Sequence, residues 1–357
     1  MLGTKAYKIW IIGALAGMLI TIILFASITI YIDPLFHYHG PIENYGYPLN
    51  DERYQNDGIT RNFEYDSIIT GTSMTENFMT SEADKIFDAD FIKVPFSGGC
   101  YKEISDNLER AYDAKKSIKY VIRGLDQYLL VQDKDAVRED LEYPIYLYNN
   151  NPFDDLNYIL NKSILFNKTM DVLKYTKAGI ETTSFDAYVN WNAKSTFGAK
   201  TVLNTYTIAE EPQISRMLSE EERKIILENI RQNVTNLAIE HPETTFYIFF
   251  PPVSICWWDV MKNNGQTNWY IDAEQTAIEE ILRHSNIKLF SFSNNFDLIC
   301  DLDNYKDQAH YGEWVNSWML EWMWNEEYLL TEDNYQEYIE SIREFYNSYD
   351  YNSLRQQ

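Results

Sequence analysis

Two short motifs carry the residue types that acyl chemistry needs. The first is Gly71-Thr72-Ser73-Met74-Thr75-Glu76-Asn77, directly after a four-residue apolar run. Gly71 relieves the steric strain of a sharp strand-to-helix turn. Ser73 would then stand at a helix start, where unpaired N–H groups point outward. A hydroxyl there can be a nucleophile, and the serine's own N–H can help to hold an oxyanion. The same position also suits a plain N-cap, Thr72 or Ser73, which is the commoner use of these residue types. The second motif is Asp307-Gln308-Ala309-His310. An acid three residues before a histidine can accept from the ring Nδ1–H and leave the other nitrogen free to take a proton from a serine. The chain has five histidines. His37 and His39 follow the apolar N-terminal segment, His241 ends a helical pattern and His284 lies within one. Asp301, Asp303, Tyr305 and Asp307 alternate like the start of a calcium loop. Such a loop needs glycine and glutamate where Lys306 and Gly312 stand, so no metal is expected.

The elements that must position these groups are legible as a pattern. Short runs at 67–70, 91–96, 119–123, 245–250 and 287–292 are rich in Ile, Val, Phe and Tyr, as buried strands are. Between them lie amphipathic stretches. Residues 101–116 place Ile104, Leu108 and Ala111 on one face. Residues 219–239 open with Ser219 and Glu222, a capping box, and continue with Ile225, Ile226, Ile230, Val234 and Leu237 at helical spacing. Residues 271–284 repeat the theme. Alternating strand and helix predicts an α/β fold with a mostly parallel sheet covered on both faces. Ligands then sit beyond the carboxyl ends of the strands, which is where Ser73 falls.

A serine just after the first strand, with Asp-x-x-His near the C-terminus, resembles the SGNH (GDSL-like) hydrolase superfamily, over roughly residues 66–324. The resemblance implies a flavodoxin-like three-layer sandwich with Ser73 as nucleophile, His310 as base and Asp307 as orienting acid. It also implies an oxyanion hole from the Ser73 N–H and a glycine after the second strand, Gly98 or Gly99. The family's third block usually supplies an asparagine. The matching stretch here, Gly124-Leu125-Asp126-Gln127-Tyr128, has none. Within the superfamily the chain looks most like DltD-type proteins and the membrane-anchored SGNH proteins paired with polysaccharide O-acyltransferases. The features carrying this are an N-terminal apolar segment, Phe249-Phe250-Pro251-Pro252 followed by Trp257-Trp258, and a long central insert. Asp126, Gln127, Tyr128, Trp257 and Trp258 are the candidate substrate-binding residues. No cofactor is implied.

Residues 9–32 contain no charged side chain, and roughly 20 apolar residues suffice to cross a hydrocarbon core as a helix. A cleaved signal peptide has a shorter apolar region of about 7–15 residues, so an uncleaved anchor is expected. Lys5 and Lys8 precede the run, which predicts a cytoplasmic N-terminus and an exported remainder. The expected layout is a stub at 1–8, an anchor at 9–32 and an α/β domain at 33–128 and 216–325. A cap-like insert at 129–215 and a helical tail at 326–357 complete it. The insert's Tyr188, Trp191 and Phe197 suit either stacking on sugars or mere packing.

The net charge of −24, with 54 acidic residues against 30 basic ones, disfavours nucleic acid as a partner. It also disfavours a lasting hold on anionic lipid headgroups. Three cysteines, Cys100, Cys256 and Cys300, form no disulfide framework or metal spacing, as in exported proteins of many Gram-positive bacteria. Two functions follow. One is a plasma-membrane-anchored extracellular serine acyltransferase or esterase acting on a cell-surface polysaccharide or teichoic acid. The other is a non-catalytic accessory protein that binds a membrane-bound O-acyltransferase and presents the polymer.

Overall fold

The computed structural model describes residues 2–114, 117–207 and 212–356. The chain forms two compact units. One comprises Met1–Phe63 with Tyr143–Ser184, the other Glu64–Glu142 with Phe185–Gln357.

The second unit is a mixed α/β structure around a six-stranded sheet. Its strands are β1 (Ser67–Thr70), β2 (Phe91–Lys93), β3 (Tyr120–Gly124), β4 (Thr245–Phe250), β5 (Ile287–Ser291) and β6 (Leu329–Leu330). They lie in the order β2-β1-β3-β4-β5-β6. The first five run parallel, with Ile68 opposite Val121, Val121 opposite Phe246 and Ile248 opposite Leu289. Every residue of β1 is buried. Burial on both faces explains why these strands read as continuous apolar runs rather than as alternating ones. β6 pairs antiparallel with β5 and comes from the tail. The tail therefore belongs to this unit, with its helix Tyr335–Ser348. Tyr338 bonds Ser291 at 2.6 Å, and the Tyr346 hydroxyl donates to the Ser293 carbonyl at 2.5 Å.

The helices follow the expected pattern with shifted ends. The first is Tyr101–Asp113; positions 115 and 116, where it was expected to end, lie outside the described residues. The Ser219–Glu222 capping box is formed, with Ser219 N–H donating to Glu222 Oε2 at 2.8 Å. That helix widens into a π turn at Arg231–Thr235. There the Asn233 carbonyl accepts from the buried Arg123 guanidinium at 2.6 Å. The helix expected from 271 begins at Thr267.

The first unit contains the helix Leu2–Ile32. Its stretch Ala6–Ile32 is long and apolar enough to cross a membrane, and its most apolar window is unburied. The chain leaves it through Asp33, which adopts φ +46. The Asp33 carboxylate accepts from the N–H groups of His37, Tyr38 and His39 at 2.7–3.0 Å and from the Tyr158 hydroxyl at 2.5 Å. Leu35, Leu147, Tyr158 and Ile164 form the core beneath. The expected cap 129–215 is thus divided. Residues 143–184 belong with the N-terminal segment because Tyr158 and Ile164 complete its core; 129–142 and 185–215 belong with the α/β unit. Residues 33–63, expected in the α/β domain, go with the first unit for the same reason.

Candidate active site

The site lies wholly within the α/β unit, at the carboxyl end of β1. Gly71 adopts φ +152, and a Cβ there would stand 2.6 Å from the Thr75 side chain. Only glycine fits that turn comfortably. A single 3-10 turn, Ser73–Thr75, follows. Thr72 is its N-cap, its hydroxyl accepting from the Met74 N–H at 3.5 Å. The capping role therefore falls to Thr72, and the Ser73 hydroxyl is free for another partner.

That partner is His310. Ser73 Oγ lies 2.9 Å from His310 Nε2. His310 Nδ1 lies 2.9 and 3.0 Å from the two Asp307 oxygens. Asp307 Oδ1 also accepts from the N–H groups of Ala309 and His310, at 2.9 and 2.8 Å. Burial works to raise the Asp307 carboxyl. The ring bond and charge of His310, together with the two backbone N–H groups, outweigh it and bring the carboxyl down to about 2. The network sets the tautomer: Nδ1 donates to Asp307, and Nε2 keeps its lone pair for the serine proton.

Serine and histidine are 237 residues apart in the chain, and two sets of contacts join them. The Gln308 carbonyl accepts from both the Ser254 N–H and hydroxyl, and the Tyr305 hydroxyl donates to the Pro252 carbonyl. These tie the Asp307–His310 loop to the segment after β4. The Tyr311 hydroxyl and the Asn316 amide both donate to the Met74 carbonyl at 3.2 Å, which ties the same region to the Ser73 turn.

A cavity of about 80 Å³ opens beside Ser73 and His310. Asp126, Gln127, Tyr128 and Trp257 line it, together with Thr72, Met74, Val253 and Ala309. Asp126 is buried, and its Oδ2 accepts from the Thr72 hydroxyl at 2.5 Å. Burial pushes its carboxyl up to about 6, although the Thr72 bond and His310 pull the other way. Larger hollows, of about 430, 450 and 500 Å³, are lined in part by residues of the C-terminal tail and contain none of these groups. The small cavity is the candidate site because the reactive side chains converge there.

Other expected residues are placed elsewhere. Trp258 is fully buried, stacked on Tyr346 with centroids 3.8 Å apart. Adjacent residues of a helix point about 100° apart, so only Trp257 of the pair reaches the cavity. Gly98 and Gly99 are not among the cavity's lining residues, and the Gly99 N–H is taken by the Phe96 carbonyl at 2.8 Å in a tight turn. Two neighbours of His310 were not placed beside it by the sequence, where Trp191 figured only as an aromatic of the insert and Lys306 only as a mismatch in the calcium-loop pattern. Trp191 meets its ring edge-on at 5.7 Å, and Lys306 Nζ sits 3.4 Å above the Trp191 ring. Adjacency to the Asp307 motif was the one available signal for Lys306.

No protein-family model matches the chain, and no curated protein matches it. A solved structure provisionally described as a platelet activating factor from Streptococcus pneumonia is similar at 9% identity and a TM-score of 0.38. The match covers 77% of this chain and 89% of that one. A likeness of that degree carries no argument about activity.

Proposed function

We infer that this chain is a membrane-anchored SGNH-type serine acyltransferase or esterase that modifies a cell-surface polymer, a polysaccharide or teichoic acid, through an acyl–Ser73 intermediate. One observation carries the reading: Ser73 Oγ stands 2.9 Å from His310 Nε2 while His310 Nδ1 is held by Asp307. In the first step Ser73 Oγ bonds to the acyl carbonyl carbon and His310 Nε2 takes the serine proton. Asp307 stabilises the imidazolium that results. The tetrahedral intermediate then collapses, and His310 returns the proton to the departing oxygen. A water or a polymer hydroxyl next attacks the acyl–Ser73 carbonyl, losing its proton to His310; the acyl–Oγ bond then breaks, and His310 returns that proton to Ser73 Oγ. A cavity of about 80 Å³ has room for a few water-sized groups, which suits a short acyl chain. The apolar helix supports anchoring at the plasma membrane, with the N-terminus cytoplasmic and the α/β unit exported.

Asp126 favours a second reading. A carboxyl in place of the family's asparagine would oppose an oxyanion whenever it is ionised, as suits an accessory protein that binds a membrane-bound O-acyltransferase. Serine-directed fluorophosphonate labelling separates the two. Wild type should be labelled and Ser73→Ala should not; an unlabelled wild type would favour the accessory role.

A further inference from the structure

The first unit carries an apolar surface that its own core does not explain. The segment Ile164–Lys168, continuing into the helix Thr169–Lys177, buries Ile164, Thr169 and Val172. On the opposite side Phe166, Met170 and Leu173 are between 36 and 54% exposed. Their spacing of four and then three residues makes a single helical stripe. Leu156 and Leu160, just before, are at least half exposed. Lys162, Lys174 and Lys177 are exposed around the stripe. Between Leu156 and Ile180 there are four lysines and one aspartate, in a chain whose net charge is −24.

This surface adjoins the apolar helix. Leu2–Ile32 packs against Leu156–Ile159, Ile164–Lys168 and Thr169–Lys177. The Phe166 ring meets the Phe25 ring edge-to-face at 5.9 Å. Phe25 lies seven residues before Ile32, about 10 Å down the helix axis at 1.5 Å per residue. A side chain touching Phe25 is therefore below the level at which the chain leaves the apolar helix. An exposed stripe at that depth, bordered by lysines, has the composition of an interfacial helix, whose apolar face sinks about 5–10 Å into the headgroup and acyl boundary.

We propose that residues 156–177 form a second membrane-contacting element, an in-plane amphipathic segment that seats Phe166, Met170 and Leu173 in the outer acyl boundary and sets its lysines among anionic headgroups. This rests on the anchor reading of Ala6–Ile32. Continuity with that helix and the local excess of lysine argue for lipid as the occupant. Lys168 is paired with Asp51 and Lys174 with Asp171, so Lys162 and Lys177 are the cations this segment offers to anionic headgroups, in a chain whose net charge is −24. A chain held at two places loses the freedom to swing about a single helix.

The test uses the full chain in bilayer nanodiscs of phosphatidylcholine and phosphatidylglycerol. An environment-sensitive fluorophore is attached at Phe166→Cys or Met170→Cys in a Cys300→Ser background; Cys100 and Cys256 are buried, and the parent protein gives the background labelling. Leu19→Cys reports the anchor, and Ile239→Cys, an exposed apolar position of the α/β unit, is the reference. Nitroxide lipids should quench positions 166 and 170 about threefold more than 239, and aqueous iodide should show the reverse order. Removing phosphatidylglycerol should weaken the lipid quenching at 166. Lipid quenching at 19 with iodide quenching at 166 equal to that at 239 would overturn the inference and leave the anchor standing. Absence of lipid quenching at 19 would overturn the anchor itself. Shielding of 166 from both reagents would mark a face covered by protein and overturn the lipid assignment.

Discussion

Each unit contains a histidine held by an aspartate, and the two pairs are wired in opposite senses. In the N-terminal unit His37 Nε2 lies 3.1 Å from Asp155 Oδ1, and its Nδ1 lies 3.2 Å from Arg61 Nη2. Arginine can only donate, so Nδ1 must accept and Nε2 must carry the proton given to Asp155. Both ring nitrogens are spent. The Tyr38 hydroxyl takes the remaining Asp155 oxygen at 3.1 Å. In the α/β unit Asp307 takes the Nδ1 proton instead, and Nε2 faces a serine hydroxyl. An acid beside a histidine is thus no mark of chemistry. What distinguishes His310 is a free lone pair aimed at a nucleophile.

The sharpest way to break this contrast is kinetic. On an activated acetyl ester, Ser73→Ala and His310→Ala should each lower turnover by about a thousandfold or more, and the double variant should be little worse, because such groups act as a unit. Asp307→Ala should be about tenfold to a hundredfold milder. All three side chains are partly exposed, so thermal unfolding should move little. A His310→Ala protein that keeps its rate would remove the distinction between the two pairs.

What the sequence could show of this arrangement followed from periodicity and short spacing. The five parallel strands were readable because burial on both faces makes continuous apolar runs. β6 was not, since two residues have no period. The Asp307–His310 bond was readable because three residues bring acid and ring together in one turn. The Thr72–Asp126 bond joins residues 54 apart, and only the pairing of β1 with β3 brings them together. Trp257 and Trp258 could not be told apart without the phase of their helix. The division of the central insert depended on where Tyr158 and Ile164 pack, which no local pattern records. The lysine-bordered stripe of Phe166, Met170 and Leu173 was masked by whole-chain charge.

Asp126 supplies a smaller effect that sharpens the comparison. Its carboxyl is pushed up to about 6 by burial. On the proposed reading the neutral acid can donate a hydrogen bond into the cavity at low pH, and the carboxylate formed at higher pH cannot. Asp126→Asn has the same shape and keeps a donor at every pH. The ratio of wild-type to Asp126→Asn turnover should therefore fall by about tenfold between pH 5 and pH 8, since loss of one donor or gain of one repulsion is a change of that order or larger. Stability has its own sign. The raised carboxyl binds its proton more tightly folded than unfolded. Its contribution is complete below the ordinary value of 3.8 and is lost as pH rises through about 6. The gap in unfolding temperature should therefore shift in favour of Asp126→Asn over that window. A ratio flat in pH would show that Asp126 plays no part in turnover.

The smallest expected effect on rate belongs to His37. His37→Ala should leave turnover within about twofold of wild type while lowering stability by about 1–3 kcal/mol, the range for leaving buried polar partners unsatisfied. Asp155 Oδ1 loses its donor. Arg61 Nη2 loses one acceptor but keeps the His37 carbonyl at 2.9 Å and Asp57 Oδ2 at 2.7 Å. The informative pair of variants is His37→Gln and His310→Gln. At position 37 the ring's Nε2–H serves as a donor to Asp155, and a glutamine amide N–H can do the same. His37→Gln should therefore recover part of the stability lost in His37→Ala. At position 310 the ring must accept a proton and release it again. A glutamine amide can donate to Asp307 but has no nitrogen basic enough to take the serine proton, so His310→Gln should be as inactive as His310→Ala. Thermal unfolding and ester turnover measured on the same four proteins decide the matter. Turnover that falls with stability in the His37 variants, or rescue of activity by His310→Gln, would mean that the two histidines do not divide the structural and chemical roles as their hydrogen bonds indicate.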